Sequence, residues 1–151
     1  MDRADQGPAA VVERLLAAIN AHDLEAMVAC FADDYRNEWP AHPQRGFRGN
    51  EQVRRNWSEI FAGVPDLQAQ LPRMTVEGDT VWTEWEMSGT RRDGAAHLMR
   101  GVSIFGVSQG RLAWVRFYLE PVEVTSGDVN AFTHQTVGTS AAGTDTTGVR
   151  S

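Results

Sequence analysis

Cysteine is nearly absent: Cys30 is the only one in 151 residues. An intrachain disulfide is therefore excluded, and so is a metal centre built on several thiolates. Positive charge is scarce too. Fourteen basic residues against 20 acidic ones leave a formal net charge of -6. Nucleic acids and anionic membranes select for basic patches, so neither is an expected partner. No run approaches the ~20 apolar residues of a membrane span. The opening MDRADQGPAA lacks the apolar stretch of a signal peptide. These absences predict a cytoplasmic protein. There is no GxGxxG or Walker motif, no HExxH and no compact histidine pair. The expectation is therefore no cofactor and no metal. Internal repeats are missing as well.

What is present suits one domain with a real core. Apolar residues make up 42% of the chain, and a domain of this size buries roughly 70% of its unfolded surface. After Gly7 and Pro8, Val12, Leu15, Leu16 and Ile19 recur at helical spacing, and Asn20-Ala21-His22 ends that helix. Asp23 is placed to cap a second helix with the stripe Leu24, Met27, Val28 and Phe31. Ala32-Asp33-Asp34 reads as a turn and Tyr35–Trp39 as a short strand. Pro40–Gly49 reads as a loop. Asn50 is placed to cap a third helix carrying Val53, Trp57, Ile60 and Phe61, stopped by Gly63 and Pro65.

From Leu67 the period changes to two. Four strands follow, Leu67–Glu77, Thr80–Thr90, Ala95–Val107 and Arg111–Glu120, joined by Gly- and Asp-bearing hairpin turns. Pro72 predicts an edge or a bulge in the first of them. Past Pro121 the patterning fades, and Gly138–Ser151 is Ser/Thr/Gly-rich with no apolar period. The expected organisation is a flexible start (1–7), a domain (8–123) and a largely disordered extension (124–151). The predicted fold class is α+β: a cone-shaped barrel in which a strongly curved antiparallel sheet packs on three N-terminal helices. Such a cone encloses a hollow, a natural site for a small hydrophobic molecule.

Several segments carry a family resemblance. Ala18–Met27 (AINAHDLEAM), Phe31–Tyr35 (FADDY), Gly46–Gly49 (GFRG) and Gly110–Trp114 (GRLAW) together resemble the SnoaL-like side of the nuclear transport factor 2-like superfamily. The resemblance spans about residues 10–123. It implies the cone fold, commonly dimeric through the sheet, and a range of activities that includes polyketide cyclases, ketosteroid isomerases, limonene epoxide hydrolases, dehydratases and binding domains. Nearest in pattern are the limonene epoxide hydrolases, which hold a water with a Tyr-x-Asn pair and open the epoxide with an Asp–Arg–Asp set. Tyr35-Arg36-Asn37 matches the first element. Trp85-Glu86-Met87 stands where Arg-x-Asp is expected, and Phe117 where the second aspartate is expected. The acid and base of epoxide opening are thus both missing.

Alternation sorts the side chains by face. The resemblance puts Trp85, Met87, Met99 and Phe117 inside, with Trp39 and Trp57 completing a ligand-binding wall. Tyr35 and Asn37 are the candidate groups for a substrate oxygen. His97 is the candidate acid or base, since imidazole titrates near neutrality. Were a bulge to reverse the strand parity, Arg116, Tyr118 and Glu120 would face inward and Glu120 would be the base. The outer face carries Trp82 and Trp114 among Glu84, Glu86, Arg100 and Arg116, a composition suited to a homodimer interface. His42 lies in the loop over the mouth of the hollow, His22 in the interhelical turn and His134 near the tail; all three read as structural or solvated. Cys30 reads as buried and inert. The expected function is cofactor-independent proton transfer on a hydrophobic, oxygen-bearing metabolite: isomerisation, cyclisation, dehydration or water addition. The alternative is ligand binding without turnover.

Overall fold

Pro8 opens the first helix, where a fixed φ helps and a missing N–H costs nothing. The computed structural model describes residues 7–139, and in it α1 runs Pro8–Ala21. Its buried stripe is Val11, Val12, Leu15, Ala18 and Ile19. Burying each such aliphatic side chain contributes about 1.5–3 kcal/mol. His22 ends the helix at φ 53, in the left-handed region, with its N–H bonded to Ala18 and Ile19 carbonyls. Asp23 then caps α2 (Leu24–Val28), accepting from the Ala26 N–H at 3.1 Å. That helix stops before Phe31, which belongs to β1 (Phe31–Glu38).

The turn expected at Ala32-Asp33-Asp34 is therefore strand. Parallel pairing of β1 with the last strand shifts register between Phe31 and Arg36. The two aspartates point to solvent, where Arg111 pairs with Asp33 at 3.0 Å. The loop after β1 holds a 3-10 turn (Pro43–Arg45) and a short β2 (Phe47–Arg48) antiparallel to β1. In α3 (Asn50–Gly63) the cap position is Gly49, at φ 89, a backbone shape that favours glycine. Asn50 is not the cap: its amide donates to Asp33 at 3.4 Å.

The meander follows as β3 (Gln68–Glu77), β4 (Thr80–Thr90), β5 (Ala96–Ser108) and β6 (Arg111–Pro121). The register breaks between Gln70 and Arg73, around Pro72. Gln109 and Gly110 turn β5 into β6 with φ 53 and 75, the pair of positive angles a primed hairpin turn requires.

The six strands lie in the order β2-β1-β6-β5-β4-β3. The sheet is curved and open, antiparallel except where β1 runs parallel to β6. Gly101 sits at φ 151 so close to β6 that a Cβ would strike the Tyr118 carbonyl oxygen. Helix α1 packs on β3 and β4, and α3 on β1. A fourth helix, α4 (Val129–Val137), follows the sheet, capped by Asp128 through the Ala131 N–H at 3.0 Å. The sequence reading expected little order there. Residues 1–6, nearly all of the predicted flexible start, and 140–151, the last part of the predicted extension, lie outside the described residues.

Candidate functional site

Between the helices and the concave sheet face lies a cavity of about 200 Å³. One water needs only ~10–15 Å³ by a comparable measure, so the space admits an organic molecule. Its walls are mostly apolar. Leu15, Ile19 and Met27 come from the first two helices, Val53, Trp57 and Ile60 from α3. Trp85, Met87, Met99, Phe105, Phe117 and Leu119 come from the meander.

β1 supplies the polar spot. Tyr35 is 2% exposed and packs edge-on against Phe31, ring centres 4.7 Å apart. Asn37, two residues on, shares its face. The Asn37 Nδ2 donates to the Tyr35 hydroxyl at 3.2 Å. Because that hydroxyl oxygen is accepting, its proton is left to donate elsewhere. The Asn37 Oδ1 is buried and has no hydrogen-bond partner among the described residues. An unpaired buried acceptor costs roughly 1–3 kcal/mol. Turning the amide by 180° would exchange the roles, with Tyr35 donating and Nδ2 left over, so one end of Asn37 stays free either way. Burial pushes the Tyr35 phenol far above its ordinary range, the Asn37 hydrogen bond being the smaller and opposing effect. Tyr35 is therefore a hydrogen-bond donor and not a base.

The indole N–H of Trp85, also on the wall, is already engaged. The Trp85 indole N–H donates to Thr83 Oγ1 at 2.7 Å, and Thr83 donates on to the Ser103 carbonyl at 2.5 Å. Trp85 therefore offers the cavity its ring alone. His97, half-buried on β5 opposite Gly89, also lines the cavity. No Asp or Glu does.

The structure brings Tyr35, Asn37, Trp39, Trp57, Trp85, Met87, His97, Met99 and Phe117 together around one space. Glu120 is not among them. Val115, Phe117 and Leu119 face the cavity, so Glu120 points the other way and accepts from His42 Nε2 at 2.8 Å. The register does shift, but between Gly106 and Val107, at the hairpin end of the β5–β6 ladder. The parity reversal that would have made Glu120 a base does not occur. Asn56 and Ser103 are polar lining residues that the sequence reading missed. Asn56 sits three residues past Val53 on the buried stripe of α3, and that spacing was the available signal.

The SnoaL-like domain model matches residues 12–117. The chain belongs to the SnoaL-like domain family. Solved structures share the fold of this SnoaL-like chain at low identity. IdmH from Streptomyces antibioticus, proposed to be a polyketide cyclase, is 23% identical with a TM-score of 0.65, covering 74% of this chain and 91% of that one. A protein from Kribbella flavida proposed to be a ketosteroid isomerase is 21% identical, TM-score 0.62, covering 80% and 82%. A proposed isomerase from Bacillus subtilis is 16% identical, TM-score 0.67, covering 80% and 90%. Among curated proteins none matches this sequence. At these identities the structures speak for the fold alone. No helix among the described residues is long and apolar enough to cross a membrane.

Proposed function

We propose that this SnoaL-like protein takes a hydrophobic, oxygen-bearing metabolite into the cavity and moves a proton on it without a cofactor. The observation that carries the reading is the unpaired Asn37 Oδ1 beside the free Tyr35 proton. One acceptor and one donor side by side complement an enol, a hydroxyl or a carbonyl with a bound water. The remaining wall is apolar and desolvates whatever enters. In a ketone substrate, Tyr35 would donate to the carbonyl oxygen and stabilise the charge that grows there on enolisation. His97 would accept the α-proton and return it at another carbon for isomerisation. If the enol carbon instead attacked a second carbonyl, the product would be a ring. The sequence contains no lysine, so an imine with the substrate is not available.

Binding without turnover is the second reading. It is favoured by the lack, among the described residues, of any carboxylate on the cavity wall and by Trp85, Met87 and Phe117 standing where related hydrolases carry reacting groups. Deuterium uptake separates the two. With 2-tetralone in D2O, a proton-transfer enzyme accelerates α-exchange, and His97→Gln slows it about 100-fold or more. Saturable binding of 2-tetralone with exchange no faster than in buffer would instead select the binding reading. Native mass spectrometry of protein purified from its own cells would identify the natural guest.

A homodimer through the outer sheet face belongs to the same proposal. Trp82 and Tyr118 are exposed there, 45% and 38%. Much of the charge around them is paired, Arg100 with Glu86 at 3.0 Å and Arg116 with Glu38 at 3.8 Å, while Glu84 has no ion pair among the described residues. A face whose charges are neutralised in pairs can be covered at smaller desolvation cost. A cytoplasmic setting fits the single buried thiol of Cys30.

A further inference from the structure

Strand β1 ends at Glu38, opposite Arg116, but β6 continues to Pro121. Beyond that point no strand among the described residues pairs with β6 on its β1 side, and Trp39 and His42, from the strap Trp39–Gly49, lie against it there. This strap is tied to the polar spot at several places. The Gly49 N–H donates to the Tyr35 carbonyl at 2.7 Å. Gly46 lies so near β1 that a Cβ would meet the Asn37 carbonyl oxygen at 2.9 Å. The Trp39 ring rests on Phe117, centres 4.2 Å apart, and both rings line the cavity. On Trp39 also sits the Arg45 guanidinium, 5.0 Å from the ring centre, and His42 approaches its edge at 6.2 Å. Among the described residues, the side-chain hydrogen bond that anchors the strap to β6 is His42 Nε2 to Glu120 Oε1, 2.8 Å.

Given the cavity reading above, on which this rests, we infer that His42 and Glu120 are positioning residues: their pair clamps the strap so that Trp39 stands against Phe117 as a fixed aromatic wall, and thereby sets how flat ligands are held and released. Neither residue lines the cavity. Trp39 itself lies outside any strand or helix, and its own backbone is tied only within the loop, by the His42 N–H to the Trp39 carbonyl at 2.9 Å among the described residues. Flat ligands gain most from a ring kept in one orientation, because the ordering cost is met before they bind.

The clamp can be tested with and without a ligand. Protein labelled with 5-fluorotryptophan gives one 19F resonance per tryptophan, and Trp39→Phe identifies the Trp39 signal. His42→Ala and Glu120→Ala should each shift and broaden that signal while leaving the Trp82 signal unchanged. Glu120→Gln, which keeps an oxygen acceptor, should restore it. With 2-naphthol as the probe, stopped-flow fluorescence should show dissociation about threefold faster in each alanine variant. The double alanine variant should be no faster than either single one, the mark of one shared interaction. An unchanged Trp39 signal in both alanine variants would overturn the clamp, as would strictly additive effects on dissociation. Failure of wild-type protein to bind 2-naphthol would count against the cavity reading, while the 19F result still decides the clamp.

Discussion

Tyr35 and Asn37 show how a site can be at odds with stability. The phenol is held protonated by burial. In the unfolded chain a tyrosine ionises near pH 10, whereas the folded one resists. The contribution is complete below that pH, and it is lost as pH rises above it, at about 1.4 kcal/mol per pH unit. Urea midpoints measured between pH 9 and 11 should fall more steeply for the wild type than for Tyr35→Phe; parallel curves would contradict the burial argument. The unpaired Asn37 oxygen gives the opposite expectation for substitution. Replacing both partners, as Tyr35→Phe with Asn37→Leu, removes the orphan and leaves nothing else unpaired. Stability in urea should rise by about 1–2 kcal/mol, while 2-naphthol binding weakens. A less stable double variant would mean that the oxygen finds a partner in solution. The Tyr-x-Asn pair was readable from the chain. Its unpaired end was not, because that depends on what the sheet places opposite.

Among the elements, the edge strand β3 shows how side chains finish a sheet. Asn20 donates to the Ala69 carbonyl at 3.0 Å and accepts from the Ala69 N–H at 2.7 Å, as a neighbouring strand would. His22 Nε2 donates to the Leu67 carbonyl at 2.8 Å, its ring stacked on Phe61 at 4.5 Å. An open edge otherwise invites pairing with another chain. Asn20→Ala should cost about 2–3 kcal/mol in chemical denaturation and increase aggregation near the midpoint. A change below a few tenths would show that water replaces the amide freely. At the bend of β5, Gly101→Ala faces both a disfavoured φ and the Tyr118 carbonyl. The expected loss is about 2–4 kcal/mol by thermal denaturation; an unchanged midpoint would mean the bend can relax. The meander was plain in the sequence, since period two and Gly-bearing turns are local signals. The start of β1 was not. Asp33-Asp34 has turn chemistry, and it is pairing with β6 on either side of them, at Phe31 and from Arg36 on, that carries the strand through. Helix α4 carried a cap signal in Asp128 that the surrounding loss of apolar pattern concealed.

Across the whole molecule, the outer face sets the expected assembly. Trp82→Glu puts an unpaired charge into the middle of the proposed interface. Sedimentation equilibrium should move from dimer toward monomer with circular dichroism unchanged; a variant with wild-type mass would discard that interface. The sequence by itself determined the α+β class, the order of helices and meander, the capping by Asp23 and the Tyr35–Asn37 pair, because each is written in residues close together along the chain. Only the tertiary structure decided that Phe117 faces the cavity while Glu120 turns away to His42, and that β1 lies beside β6. Facing depends on strand register, register depends on partners far along the chain, and a shift of one residue would have exchanged the two faces.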